Sequence, residues 1–277
     1  MNIAVLGLGI IGSIWAKHVA ADGHTVRVWN RSPQPAHPGW CADPVVAVTE
    51  AEVVVVVVAD GPAVLSVLQR IAPALKTGAV ICQHSTIGVD ETHRAAKMVT
   101  AAGARFLDMP FTGSKPAAEQ RQNVFFIGGD PAVHAVVEPL YARLAKAQLA
   151  VGDVGQGMAI KLAFNLLLAD LNQAMCESQE LAARAGIDPE TWFAALELNA
   201  AKSPLGELKK PKWLARDWSP QFSVKHMAKD VRLAQRLAAT TGLQMPLTAA
   251  AEKTFTAAEQ RGLADLDFCA IRELYYP

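Results

Sequence analysis

The chain has 277 residues, 51% of them apolar, and its 26 basic and 26 acidic side chains leave no net charge. That length accommodates one large or two medium domains with a sizeable core. The charge balance argues against a nucleic-acid partner or a membrane-surface role, both of which need a basic excess.

Four cysteines, Cys41, Cys82, Cys176 and Cys269, lie far apart without C-x-x-C spacing. No metal site and no disulfide framework is expected, and a reducing cytoplasm suits them. Met1 to Ala16 is uncharged but lacks the basic leader of a signal peptide. Val53 to Ala59 is far too short an apolar run to span a bilayer. A soluble cytoplasmic protein is expected.

The run Asn2 to Leu6 reads as a strand buried on both faces. It leads into Gly7-Leu8-Gly9-Ile10-Ile11-Gly12 and then into the helical Ser13 to Ala21. A G-x-G-x-x-G run is weak evidence alone, but between strand and helix it reads as a dinucleotide-binding loop. Gly7 permits the tight turn, Gly9 lets backbone approach a pyrophosphate, and Gly12 allows close helix–strand packing. The phosphates would rest on the amides and positive dipole end of the helix. Thr25 to Trp29 is the second strand, where an NAD-binding domain usually ends on an acid that holds the ribose 2′-hydroxyl. This chain has Asn30-Arg31-Ser32 instead. An arginine fork suits a 2′-phosphate, so NADP is favoured over NAD; the alternative is a plain exposed loop arginine.

Pro33 to Trp40 holds too many prolines for a helix, so this edge of the domain is expected to be trimmed. Val53 to Val58 is a buried strand, and Val58, Ala59 and Asp60 at its carboxyl end are expected to line the cofactor. Val64 to Leu75 is a helix and Ala79 to Cys82 the next strand. His84-Ser85-Thr86 then puts two hydroxyls at the rim where ligands bind in open α/β sheets. Alternatively these hydroxyls cap the next helix. Phe106 to Phe111 and Val124 to Ile127 continue the strands, with Thr112-Gly113-Ser114-Lys115 on the same rim or simply forming a turn. The alternation predicts a Rossmann-like, doubly wound α/β domain over residues 1–154.

From residue 155 to 277 strand signals vanish and an all-α domain is expected. Its opening segment, Met158 to Ala169, is apolar on nearly every face, yet carries Lys161 and Asn165 four residues apart on one face. Burying an unpaired ammonium is costly, so Lys161 either snorkels to the surface or serves a site. The preceding Gly152-Asp-Val-Gly155-Gln-Gly157 lets other backbone or a ligand come close to the helix start. This helix is expected to extend to about Gly186, with Asp188-Pro189-Glu190 opening another and further helices over 224–240 and 247–261. His84, His93 and His226 show no partners in the sequence and read as structural.

Taken together, these residues resemble the β-hydroxyacid dehydrogenases, the group that contains 3-hydroxyisobutyrate dehydrogenase, tartronate semialdehyde reductase and the glyoxylate/succinic semialdehyde reductases. The resemblance spans essentially the whole chain. It rests on Gly7 to Gly12, Ser85-Thr86, Asp108-Met-Pro-Phe-Thr-Gly-Ser114, Gly155-Gln-Gly157 with Lys161 and Asn165, and Phe222 with Lys229-Asp230-Val-Arg-Leu-Ala234. Ser114 to Glu119 looks most like the glyoxylate/succinic semialdehyde reductase branch, which also favours NADP.

The resemblance implies an NADP-dependent reductase that converts a small carboxylate-bearing aldehyde to its hydroxy acid, reversibly and without a metal. It makes Lys161 the proton donor and Asn165 a substrate-positioning residue. Thr112, where the family usually has serine, would hold the substrate carboxylate with the Gly113 and Ser114 amides. Phe222 and Asp230 would line the substrate, Thr86 would sit near the nicotinamide and Lys229 would close on the cofactor or the substrate, although Lys229-Asp230 could instead be a solvated pair. A homodimer or homotetramer is implied through the helical domain. Two departures stand out: Pro33 to Trp40 in place of a helix, and Gln120-Arg121 where the substrate motif normally ends in glycine. Two rival readings are an imine reductase, whose members generally lack the lysine, and a catalytically silent NADP-binding module.

Overall fold

The computed structural model describes residues 1–276. Their contacts separate two units, Met1–Lys161 and the residues from Leu162 onward. The first unit runs β1 (Asn2–Leu6), α1 (Ile10–Ala21), β2 (Thr25–Trp29), α2 (Pro44–Val48), β3 (Val53–Val56), α3 (Gly61–Ile71), β4 (Val80–Gln83) and α4 (Val89–Ala101). It continues with β5 (Arg105–Asp108), β6 (Phe111–Thr112), α5 (Ser114–Glu119), β7 (Asn123–Gly128), α6 (Pro131–Ala142) and β8 (Ala145–Gly152). Strands β2, β1, β3, β4 and β5 lie side by side in that order, all parallel. Each is followed by a loop at the same edge of the sheet, which is how a parallel sheet gathers distant sequence segments on one rim.

The four valines of β3 are all buried, as a strand covered on both faces requires. The strand is shorter than the valine run suggests. Val57 still donates its N–H to Leu6, but the Val58 N–H turns away to the Ser85 hydroxyl at 2.8 Å. Helix α3 starts earlier than expected, because the Asp60 carboxylate caps Ala63 N at 2.9 Å and Pro62 fits the first turn. Beyond β5 the sheet reverses: β7 runs antiparallel to β5 and β6, and β8 runs parallel to β7. The proline-rich stretch forms turns and returns to the outer edge of β2. There Val28 N donates to Gly39 O at 2.9 Å and Cys41 N to Val28 O at 2.8 Å.

Helix α7 (Gln156–Arg184) contains the division between the units. The second unit goes on with α8 (Pro189–Glu197), α9 (Pro204–Ala215), α10 (Val224–Thr241) and α11 (Pro246–Gln260), and closes with a 3-10 helix over Phe268–Leu274. Asp188 and Ser203 cap α8 and α9, each with proline at the next position. Among the described residues, no helix is long and apolar enough to cross a membrane.

Two buried charge sites cross-link these elements. In the helical unit, Lys209 on α9 donates to Asp267 at 2.7 Å, with side chains 1% and 0% exposed. Asp267 also accepts from Gln221 N at 2.9 Å. Burial pushes the Asp267 carboxyl up, but the charge and hydrogen bond of Lys209 and the nearby amides outweigh it and hold the pKa below the ordinary value. In the first unit, Asp108 at the end of β5 is fully buried and its Oδ2 accepts from Gly155 N at 3.0 Å and Met158 N at 2.8 Å, at the start of α7. A Cβ on Gly157 would stand 2.8 Å from the Asp108 carbonyl oxygen, so only glycine admits this approach. The backbone that the glycine-rich stretch admits is therefore that of Asp108.

Each site yields a prediction. Removing the Lys209 ammonium leaves a buried carboxylate unpaired, so Lys209→Met is expected to cost about 3–5 kcal/mol in urea unfolding; a loss below 1 kcal/mol would mean the pair is not a structural tie. Burial raises the Asp108 pKa from 3.8 to about 7, against the lowering effect of the Met158 and Gly155 amides. The folded state then binds this proton more tightly than the unfolded chain. Its stabilising contribution is complete below pH 3.8 and is lost as pH rises to about 7. Asp108→Asn keeps an acceptor for both amides and cannot ionise, so the wild-type protein should lose stability relative to Asp108→Asn as pH rises from 3.8 to about 7. Parallel stability–pH curves for the two proteins would contradict the assignment.

Candidate active site

Gly7 follows β1 at φ +111°, and a Cβ there would meet Val57 O at 2.2 Å, so the chain turns tightly against β3 only because this residue is glycine. A Cβ on Gly12 would meet Gly7 O at 1.9 Å, which fixes how closely α1 packs on the loop. Gly9 differs from both: a Cβ there would touch nothing within 4 Å. It stands at the N-cap of α1, where no side chain bonds the first-turn amides. Open space in front of uncapped helix amides is what a phosphate-binding helix start requires. Leu8 is buried, whereas Ile10 is exposed and Ile11 half-buried.

The loop after β2 is held to this glycine loop. Asn30 Oδ1 accepts from Leu8 N at 3.0 Å and its Nδ2 donates to Ser32 O, while the Gln34 amide reaches Leu8 O at 3.3 Å. Arg31 and Ser32 are exposed beside it. The loops after β3 and β4 are tied together by the Val58–Ser85 bond, with Ala59 exposed and Thr86 half-buried. Asp60 is engaged as the α3 cap. Ser85 and Thr86 do not cap α4, whose N-cap is Gly88. His84 is buried, with Nδ1 2.6 Å from Met109 O and Nε2 2.6 Å from the Tyr141 hydroxyl. A carbonyl only accepts, so Nδ1 carries the proton and Nε2 accepts from tyrosine. Burial lowers the pKa of this ring to about 3, keeping it neutral and structural.

Phe111 and Thr112 form β6, and Gly113 and Ser114 follow at φ +121° and +52°. Ser114 is one of the few non-glycine residues held in this costly region, which happens where the surroundings over-determine the backbone. Lys161, in the second turn of α7 and half-buried, has its Nζ 5.9 Å from the centre of the Phe111 ring. The structure thus brings Lys161 beside the start of the Thr112–Ser114 segment.

In the helical unit, Asn165 is 3% exposed and its Nδ2 donates to Asp230 Oδ2 at 2.6 Å. Lys229 Nζ lies 2.7 Å from Asp230 Oδ1, and Asp230 is fully buried. This is not a solvated pair. Phe222, just ahead of α10, stacks on His226 at 5.8 Å and packs edge-on against Phe268. Sequence reasoning assigned no role to Asp108, although an acid closing a strand ahead of a glycine-flanked helix start is the signal for such a tether. Among the described residues, no group of three or more His, Cys, Asp or Glu is placed to hold a metal ion.

Comparison with known proteins agrees with this arrangement. The NAD-binding domain of 6-phosphogluconate dehydrogenase matches residues 2–157. The NAD-binding domain of NADP-dependent 3-hydroxyisobutyrate dehydrogenase matches residues 155–275. Glyoxylate/succinic semialdehyde reductase 1 of Arabidopsis thaliana is 30% identical over 99% of this chain and 98% of its own. The 2-hydroxy-3-oxopropionate reductase of Escherichia coli is 30% identical over 98% of this chain and 96% of its own. Among solved structures, a Mycobacterium tuberculosis 3-hydroxyisobutyrate dehydrogenase with L-serine superposes with a TM-score of 0.90 at 26% identity, covering 99% of each chain. With an open helix start after β1 and the family's motifs in order through both units, this chain belongs to the β-hydroxyacid dehydrogenases, oxidoreductases that bind a nicotinamide cofactor.

Proposed function

We propose that the protein is an NADP-dependent reductase of a small aldehyde bearing a carboxylate, such as glyoxylate or a semialdehyde, and that it works reversibly on the hydroxy acid. The observation that carries this reading is Lys161 beside Phe111, one residue from the segment assigned to the substrate. The cofactor, when bound, supplies the hydride. Lys161 gives a proton to the carbonyl oxygen as negative charge develops there, the ordinary role of a general acid. The Thr112 hydroxyl and the Gly113 and Ser114 amides hold the carboxylate, which fixes the position of the carbonyl in a short substrate. Asn165, Phe222 and Asp230 are assigned to the substrate and Lys229 to the cofactor. Asn165 and Asp230 are already oriented by their mutual hydrogen bond.

Gly7 to Gly12 receive the pyrophosphate, with Val58, Ala59, Asp60 and Thr86 along the nicotinamide side. NADP rather than NAD is supported by Asn30-Arg31-Ser32, in which Asn30 is bonded to the glycine loop and Arg31 is left exposed to meet a 2′-phosphate. Residues 1–154 are proposed to serve the cofactor and 155–277 the substrate and self-association as a homodimer or homotetramer.

Lys161→Ala is expected to lower kcat by about 10²–10⁴ while NADPH still binds, as read by steady-state rates and nucleotide fluorescence. Unchanged turnover would remove Lys161 from the mechanism. Initial rates with glyoxylate and succinic semialdehyde should favour NADPH over NADH. Arg31→Ala should raise the KM for NADPH by about tenfold or more, with little change for NADH, since a lost charge-assisted phosphate contact is worth about that much. A native preference for NADH would refute the assignment of Arg31.

A further inference from the structure

The substrate segment is joined to the cofactor helix by a single polar face. Trp15, His18 and Asp22 follow one another at spacings of three and four residues, which places them on one side of α1 and its C-terminal end. Each has a partner between residues 118 and 123. The Trp15 indole Nε1 donates to Asn123 Oδ1 at 3.0 Å, and the two side chains are 1% and 0% exposed. His18 Nε2 lies 3.1 Å from Ala118 O. Arg121 donates to both carboxylate oxygens of Asp22, at 2.6 and 3.1 Å, and to Arg143 O at 2.9 Å. Arg121, which stands where the family motif ends in glycine, keeps a left-handed φ of +59° within that clamp.

The innermost of these links goes further. Asn123 Nδ2 donates to Thr112 O at 3.2 Å, so the buried amide is bonded to α1 on one side and to the substrate segment on the other. The next residue closes against it: a Cβ on Gly113 would lie 3.1 Å from Asn123 Nδ2 and 2.5 Å from the Ala117 Cβ. The Trp15 ring meets Phe111 edge-on with centroids 4.8 Å apart, and Phe111 is the ring beneath Lys161. A fully buried amide cannot exchange these partners for water, so its two bonds fix the Thr112 carbonyl relative to α1.

We propose that Trp15 and Asn123 are positioning residues for the substrate: they set the Thr112–Ser114 segment from the cofactor helix, and through it the place of the substrate carboxylate. This rests on the reading that Thr112 to Ser114 hold that carboxylate. Neither side chain is exposed to touch substrate or cofactor, so they act through the segment. Because the segment they set is assigned to the substrate and not to the nucleotide, their loss appears in the KM of the carbonyl substrate rather than in cofactor affinity.

The test compares Asn123→Leu, Trp15→Phe, the double variant and Thr112→Val, with glyoxylate and succinic semialdehyde as substrates, NADPH affinity by fluorescence, and melting temperature. Asn123→Leu is expected to raise the aldehyde KM by about tenfold, within the range for coupled neighbours, with NADPH affinity unchanged. Trp15→Phe removes the indole N–H together with part of the ring that packs on Phe111, and should raise the KM several-fold. In the double variant the two effects should fail to multiply, leaving the KM close to that of Asn123→Leu. If Asn123→Leu does not fold, Trp15→Phe alone decides: an unchanged KM overturns the proposal. A KM within about twofold of wild type in Asn123→Leu, or effects that multiply fully, likewise overturns it. If Thr112→Val, which removes the hydroxyl assigned to the carboxylate, raises the KM in that case, the substrate reading survives and only the relay falls; if Thr112→Val is also silent, both fall.

Discussion

The carboxylate of Asp108 is the interaction on which the arrangement depends. It closes β5, the last of the parallel run, and receives two amides from the opening of α7. Burying a carboxyl is expensive, and here the cost is offset by two N–H donors and the positive end of a long helix dipole. Its second oxygen has no partner. A proton on that oxygen leaves Oδ2 free to accept both amides, in keeping with the raised pKa. Since Lys161 lies in the second turn of α7, the sheet edge sets its position within a few ångströms of the tether. Glycine at 157 is part of the same constraint, because no side chain fits between the helix start and β5.

Among its described residues the helical unit has one isolated bridge, between Ser223 and Asp267, and no longer ladder to specify its packing, and buried polar pairs cross-link it instead. Lys209 with Asp267, Asn165 with Asp230, and Arg272 with Glu180 and Gln179 each join elements distant in sequence. Such pairs add little net stability over apolar substitutes, yet a misregistered helix strands a charge in the core, at several kcal/mol. They therefore select one packing among many that an alanine- and leucine-rich surface would tolerate.

What could be read from the chain follows from the range of the interactions. The glycine loop is local: strand, three glycines and helix lie within twenty residues, and the tight turn at Gly7 and the close packing at Gly12 are the parts their spacing suggests. The α8 start at Asp188-Pro189 is equally local, since a cap and a first-turn proline need no tertiary context. Strand direction is not local, and nothing in Val124 to Ile127 reveals that β7 runs against β5. Helix α9 escaped notice because Pro211 in its interior reads as a breaker, while the helix is stabilised by the Lys209–Asp267 pair that only folding creates. Lys229-Asp230 looked as much like a surface pair as a site, and the burial of Asp230 decides against the surface. The part of the candidate site that could not be read is its support. Asp108 and Asn123 bond to atoms 47 or more and 11 residues away, distances over which no sequence pattern is diagnostic.

The turn-rich return of Gly39 to Cys41 along β2 has a consequence for solubility. An open parallel sheet ends in a row of unpaired amides and carbonyls, a template onto which another extended chain can add. Here Val28, next to the last residue of the outermost strand, already gives its N–H to Gly39 and its carbonyl accepts from Cys41. Prolines at 33, 35 and 38 lead into that cover, and proline cannot donate to a ladder. Reducing the helix between β2 and β3 to the five residues of α2 thus does not leave this edge bare: a short, kinked selvedge lies along it and occupies the groups of Val28.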